Sequence, residues 1–475
     1  MDGYVAETLA RLPLARAVFE LFSYVLDEPS LGELFERHRG RCYERELAFP
    51  TVVYLLRDAL LVHGGSGLAS FEAAGEAGAL PVAVKNVYEK LGRLPLAVST
   101  ALLRHAAGRL LADGLMPLLP ARRDPLPATL AAFAVIAFDG KKIKRAAKRL
   151  KALRGLPGKM LGGKLLAAMH VRHGLALAIE ADPDGERNDV PLVPGLVRQV
   201  RAMVEGPILW MGDRQFGNLD LPAVLSERGD DQFLLRCTTA LTFHPDEQRA
   251  EQEGADARGR RWVQRWGWVG SAKDKRRRYV RQVVLYRPEE ADGDVILITG
   301  LLDAAAYPAE DLLAAYLLRW EIECMFQQVT EVFDLRTLIG STPQAMVFQS
   351  AFCFVLYNLI QVVRSYVAAG AGRDASEVST EKLFGTTRRQ LTAWAELGEP
   401  AHAAQYVRPA PTPAALDGRL RSLLGGPGVW RRRWLKAKPK KPQPPRPKAK
   451  VRKGHGGHTS VWRAMQAYEQ QRARP

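Results

Sequence analysis

Apolar positions in the first 125 residues recur at close to helical spacing, as in TVVYLLRDALLVHG and AVSTALLRHAAGRLLADGLMPLL, and predict a helical N-terminal region. Between these stretches, residues 66–94 predict two short helices split by Gly75 and by Gly78-Ala79-Leu80-Pro81. That layout is either helix-turn-helix-like or an ordinary helical hairpin, with Lys85, Asn86, Glu89 and Lys90 on the outer face of the second helix. From about residue 126 the pattern changes. AFAVIAF is a continuous apolar run ending at Asp139, and residues 164–180 give two more such runs split by Arg172-His173-Gly174, which predicts buried strands and a hairpin. Asp182-Pro183-Asp184-Gly185 is a turn, and Asp189 with Pro191 opens the helix LVPGLVRQVRAMV. PILWMG then forms a short buried strand ending at Asp213. The expected core is α/β, with two strands each delivering a carboxylate at its carboxyl end.

Residues 126–368 are expected to form this core, interrupted at about 238–300 by a strand-rich insertion and closed by long helical patterns over 308–334 and 342–368. Residues 369–429 predict a helical appendage, with Asp374/Glu377 and Ser379 or Thr380 as helix starts. Residues 430–475 form a Lys/Pro-rich tail that is not expected to order by itself. The most apolar stretch, 351–363, is too short to span a bilayer and contains Asn358 and Gln361, so it predicts a buried helix and no membrane partner. The segment MDGYVAETLARLPLA lacks a basic start and an apolar centre, so no secretion signal is expected.

The 475 residues include 68 Lys+Arg and 51 Asp+Glu, a net charge of +17, with 47% hydrophobic residues, which excludes bulk disorder. Residues 430–475 alone carry 15 Lys/Arg and one acid, leaving the rest nearly neutral. Such a tail predicts a polyanionic partner, nucleic acid or an anionic membrane surface. Four scattered cysteines exclude a disulfide framework and a Cys-rich zinc site, and fit a reducing cytosol. Nine Lys/Arg fall within 141–159, immediately after Asp139. Ten more fall within 258–281, interleaved with Trp262, Trp266 and Trp268. The second cluster suits cations following a nucleic-acid backbone beside aromatics that accept unstacked bases. The even separations equally suit a β-hairpin with its tryptophans on one face.

Tyr316, Arg319 and Glu323, at offsets of three and four, share one helix face with Phe326. Tyr-x2-Arg-x3-Glu, an Asp-Gly after an early strand and an Asp-Arg after a later one together resemble bacterial insertion-sequence DDE transposases. The fourth insertion-sequence family, which has a β-rich insertion before its Glu, is the most similar type. The resemblance runs through FDGKKIKRAAKRLKALRG, LGGKLLAAMHVRHGLALA, DPDGERNDVPLVPGLV, WMGDRQFGNLD and ITGLLDAAAYPAEDLLAAYLLRWEIECMF, covering most of 130–365.

The resemblance implies an RNase H-like core in which Asp139, Asp213 and Glu323 hold two Mg²⁺ ions, with Mn²⁺ able to substitute. Two hard ions about 3.5–4 Å apart activate the attacking oxygen and stabilise the leaving one. Asp139 is expected to bridge them, with Asp213 and Glu323 each holding one. Tyr316 and Arg319 would grip the DNA end, Arg319 through its two-pronged fork. The family carries a Lys at the position of Thr330. Thr330 could itself bond a phosphate, Lys141 or Lys142 could substitute, or activity could be weakened. Lys144, Arg145, Arg276, Arg277 and Arg278 complete the expected DNA contacts.

The expected partners are double-stranded DNA, as element ends read by the helical DNA-binding region 1–125 and as target, and a second copy of the chain in the active complex. The expected location is the bacterial cytoplasm, at the nucleoid. The other readings are a transposase-derived DNA-binding protein without catalysis and a metal-dependent nuclease. Among other polar groups, Glu180, Asp182, Asp184, Glu186 and Asp189 lack the spacing and terminal Glu of a calcium loop. His170 and His173 are expected at a turn or surface, and His455 and His458 are expected to be incidental.

Overall fold

Sheet order explains the architecture better than chain order. The computed structural model describes residues 7, 10–111, 114–119, 124–144, 146, 148–287, 293–332, 338–397, 407, 409–426, 428–437 and 458–473. Among the described residues, helices come first: α1 (Pro13–Val25), α2 (Glu28–His38), α3 (Phe49–Leu61), α4 (Gly67–Glu76), α5 (Val84–Arg93) and α6 (Leu96–Leu110). The core follows as β1 (Ala134–Lys144), β2 (Lys159–His170), β3 (Leu175–Asp182), α7 (Val193–Arg201), β4 (Ile208–Gly212), α8 (Leu221–Leu225) and β5 (Gln232–Cys237). The insertion supplies β6 (Phe243–Pro245), β7 (Gln252–Ala255), β8 (Arg261–Val269), β9 (Arg278–Leu285) and β10 (Val295–Thr299). After it come α9 (Ala309–Leu317), α10 (Trp320–Glu331), α11 (Pro343–Gly370), α12 (Thr380–Leu397), α13 (Pro413–Leu424), β11 (His458–Ser460) and α14 (Val461–Ala473).

Strands β3, β2, β1, β4 and β5 lie side by side in that order, with β1, β4 and β5 mutually parallel and β2 antiparallel to both its hairpin neighbours. This is a mixed α/β architecture consistent with an RNase H-like core. The insertion does not build a separate sheet. Its β10 pairs antiparallel with β5, then β9 and β8 follow, so core and insertion share one eleven-stranded sheet.

α11 crosses the centre of the molecule. By length and composition it could cross a membrane, with a mean hydropathy of 1.7 over its most apolar window, yet that window is wholly buried in protein. Its Pro343 start is capped by Thr342, whose Oγ1 accepts from Ala345 N. Halfway along, the buried Asn358 accepts from Ala176 N at 2.9 Å and donates to Ala176 O at 2.7 Å, tying the helix to the start of β3. One side chain thereby satisfies both main-chain groups of a buried strand residue.

Several expectations need correction. The helical pattern over 308–334 is two helices, because Leu318 and Arg319 turn through i→i+3 main-chain bonds before α10 begins. In the N-terminal region, α6 packs against β3 and α11. Helices α4 and α5 do form the expected hairpin, with Lys85, Asn86 and Glu89 exposed, but Lys90 turns back to donate to Tyr43 O at 2.9 Å. His170 is buried at the end of β2 with the tilted ring of His173 4.4 Å away, and burial holds its ring well below its usual pKa.

The tail is not uniformly without structure. Trp434 is buried, with Nε1 donating to Thr386 Oγ1, and β11 adds in parallel to the Lys159–Leu161 edge of β2. Arg463 of α14 pairs with Asp184 at 2.8 Å and Glu186 at 2.6 Å. His455 lies outside the described residues, whereas His458 pairs with Lys159 in that added strand.

Candidate active site

β1 and β4 run parallel from Ala134↔Ile208 to Phe138↔Gly212, and the next residue on each strand is an aspartate. Asp139 and Asp213 therefore stand side by side at the point where the ladder opens. β4 stops there, and Asp213 caps a short turn by accepting from Arg214 N at 2.6 Å. Contrary to expectation, β1 does not stop at Asp139. It continues to Lys144 against β2, with Asp139 opposite Ala167, so Lys141, Lys142 and Lys144 lie on a strand rather than on a loop.

The third acid arrives from the helical side. Arg319 Nη2 donates to Glu323 Oε1 at 2.9 Å, while its Nη1 lies 3.7 Å from Asp139 Oδ2. One guanidinium thus links two of the three acids. Burial pushes the Asp139 carboxyl up to about 6, with Asp213 and Glu323 adding to the rise and the Gly140 N–H and Arg319 opposing it. Arg319, only 7% exposed, keeps its proton more firmly than usual despite burial, because Tyr316, Asp213, Glu323 and Asp139 surround it. Tyr316 is buried beside it, and burial raises its phenol to about 12.

Three carboxylates offer the oxygen donors that a hard divalent cation takes, and Asp213 and Glu323 both disfavour the charge on Asp139. Among the described residues, no three His, Cys, Asp or Glu side chains stand close enough together to hold a metal ion as they are. Arg319 supplies the positive charge there.

Asp139 and Glu323 line a cleft of about 650 Å³. Lys141, Lys142, Lys144 and Thr330 line it too. Lys141 Nζ donates to Phe326 O at 3.1 Å, and Thr330 Oγ1 donates to the same oxygen at 2.7 Å. Burial, then Lys144, lowers the Lys141 ammonium to about 8.

The remaining expected contacts separate from this cleft. Trp262 and Trp266 are core residues at 6% and 1% exposure, so neither face is open to a base, and Trp266 Nε1 donates to Leu302 O at 2.8 Å. Trp268, at 37%, is the exposed one, with Arg277 4.4 Å over its ring and Tyr279 at its edge. Arg276 is engaged by Asp274 and Asp220, and Arg278 donates to Ser226 Oγ at 2.9 Å. None of these residues lines the cleft. Arg145 lies outside the described residues.

Sequence reasoning missed a support beneath the two aspartates. Asp189 was expected only to start a helix, yet its side chain makes no cap. It is 2% exposed, pairs with the equally buried Lys164 at 2.8 Å, and accepts from Gln215 Nε2 at 2.7 Å. A Cβ at residue 140 would collide with its carboxylate, which gives Gly140 its physical reason. Gly140 follows Asp139, and Gln215 is two residues after Asp213, so one buried pair braces both aspartates. Lys164→Met should cost about 3–5 kcal/mol by stranding a buried charge. Urea denaturation should show most of that loss regained in Lys164→Met/Asp189→Leu, and an undiminished stability in Lys164→Met would refute the brace.

Parallel strands with an acid just beyond each end, a helix that brings a third acid and a lysine-lined cleft form a mixed α/β arrangement consistent with an RNase H-like fold. Residues 132–359 match the family described as "Transposase DDE domain". No curated protein matches the chain. A solved structure titled "Cryo-EM structure of piggyBac transposase synaptic complex with hairpin DNA (SNHP)" is similar at 10% identity, with a TM-score of 0.41, over 85% of this chain and 84% of that one.

Proposed function

We propose that the protein is a bacterial insertion-sequence transposase of the fourth-family type, which binds the terminal inverted repeats of its element, cleaves there and joins the 3′-OH ends to target DNA. The reading is carried by Asp139 and Asp213, placed in register just beyond Phe138↔Gly212, with Glu323 joined to Asp139 through Arg319. Asp139, Asp213 and Glu323 would hold the divalent ions. Bound there, two Mg²⁺ would activate the attacking oxygen and stabilise the leaving one.

The chain's own groups do the positioning. Arg319 offers two parallel N–H donors to a phosphate, and in taking one it gives up its bond to Glu323. Tyr316 packs beside it and keeps water from its inner face. Lys141, Lys142 and Lys144 carry the strand along the cleft. Two ends must be cut and joined together, so the active form is a dimer on double-stranded DNA.

The test incubates purified protein with a duplex carrying the element end, a plasmid and Mg²⁺. Joined products are expected. Cuts without joining indicate a nuclease, and a gel shift alone indicates a DNA-binding derivative; either result overturns the proposal.

A further inference from the structure

A second cationic cleft, of about 360 Å³, lies between α2, α6 and the end of α7. Its position follows from topology. α7 starts close to Asp189, beside the aspartates, and runs back so that Ala202 and Met203 reach the edge where β1 and β4 begin. The cleft is therefore at the opposite end of the sheet from Asp139 and Asp213.

Arg37, Arg104 and Arg109 line it, with His38 and His105 and a single carboxylate, Glu33. Arg109 is fixed, donating to Tyr24 O at 2.9 Å with its guanidinium 4.4 Å over the Tyr24 ring. Arg37 and Arg104 have no ion-pair or hydrogen-bond partner among the described residues. Asp27, the N-cap of α2, is occupied in capping that helix through Ser30, and Glu36 on the helix pairs with Arg39 at 2.7 Å. His105 Nε2 is buried without a partner. The floor is open, because a Cβ at Gly108 would meet nothing within 4 Å.

Basic residues near helix C-termini complement the helix dipoles of α2 and α6, and this accounts for part of the cluster at about 0.3–1 kcal/mol each. It does not account for two unpaired guanidiniums facing a third across an open floor. That like-charge crowding is felt at His38, whose proton affinity is lowered by burial and then by Arg104 and Arg37. Folded chains neutralise such clusters with acids or with bound anions, and here one acid faces three arginines.

We infer that the cleft between Arg37, Arg104 and Arg109 is a binding site for a phosphate-bearing ligand, separate from the candidate catalytic site. Two sources of that chemistry exist, a free phosphate compound and a phosphodiester of duplex DNA passing over this end of the molecule. Both present tetrahedral oxyanions to the same guanidinium forks.

The test uses the full chain without divalent metal, with inorganic pyrophosphate in calorimetry and a duplex of arbitrary sequence in anisotropy at several salt concentrations. Gly108→Asp puts a carboxylate on the floor, and Gly108→Ala fills the same open space without charge. Arg37→Gln/Arg104→Gln removes the two unpaired cations and keeps the length and polarity of both side chains close to the original. Loss of pyrophosphate binding by about tenfold or more in Gly108→Asp and in the double variant, with Gly108→Ala unchanged, supports a free-phosphate site. Weaker duplex binding in the same two variants, with the salt slope reduced by roughly 0.9 per lost phosphate contact, supports a DNA-backbone site. Unchanged affinity for both probes in both variants overturns the inference, as does equal loss in Gly108→Ala. Because no cleavage is measured, failure here leaves the transposase reading standing, and failure of that reading leaves this one testable.

Discussion

Asp139→Asn should remove strand cleavage by on the order of a thousandfold or more, the scale of a lost metal carboxylate, and should at the same time make the metal-free protein more stable. The two effects come from one cause. In the folded chain the Asp139 charge is opposed by burial and by Asp213 and Glu323, strongly enough to lift its carboxyl from 3.8 to about 6. A raised carboxyl means that the native state resists the charged form, so the penalty is absent below pH 3.8 and complete above about 6. Replacing the carboxylate with an amide removes up to about 3 kcal/mol of that penalty. Thermal melts at pH 8 in a chelator should therefore show the variant above the wild type, with the gap closing as pH falls. Added Mg²⁺ should raise the wild-type melting temperature more than the variant's. A variant that melts lower and still cuts would remove Asp139 from the site.

Lys141→Ala should weaken binding of the element end by roughly ten- to a hundredfold, the worth of one charge-assisted hydrogen bond, and Thr330→Lys in that background should restore most of it. The basis is the shared acceptor: the Lys141 ammonium and the Thr330 hydroxyl both bond Phe326 O, so a lysine side chain grown from position 330 reaches the same part of the cleft. A role limited to folding would not be rescued from the other element. End-binding titrations across salt should show the slope fall by about 0.9 in Lys141→Ala and recover in the double variant. Loss without recovery would mean that Lys141 acts by holding α10 in place.

The core was legible where physics acts locally. AFAVIAF and PILWMG are continuous apolar runs because both faces of β1 and β4 are covered, and each run breaks at the acid where the pairing of β1 with β4 ends. Break points of other kinds leave little trace. The tight turn at Leu318 and Arg319 shifts helical periodicity too little to be seen across so short a span. Trp262 and Trp266 fit a basic aromatic surface and a hairpin core equally well, because period-two spacing reports which residues share a face and not which face is covered. Lys164 and Asp189 look like one surface charge and one helix start until the fold brings them together. The acidic turn around Asp184 likewise finds its cation in Arg463, 279 positions away.

The last of these contacts also bears on assembly order. β11 is synthesised after every other strand of the sheet it joins, so a nascent chain holds the Lys159–Leu161 rim of β2 unpaired until His458–Ser460 has emerged. Exposed rims of this kind invite pairing with a neighbouring chain. A ribosome product or proteolytic fragment ending within 438–457 would keep all three acids and helices α1 to α13, yet would leave an adhesive strand edge. Such fragments are expected to be lost to aggregation before they compete for DNA.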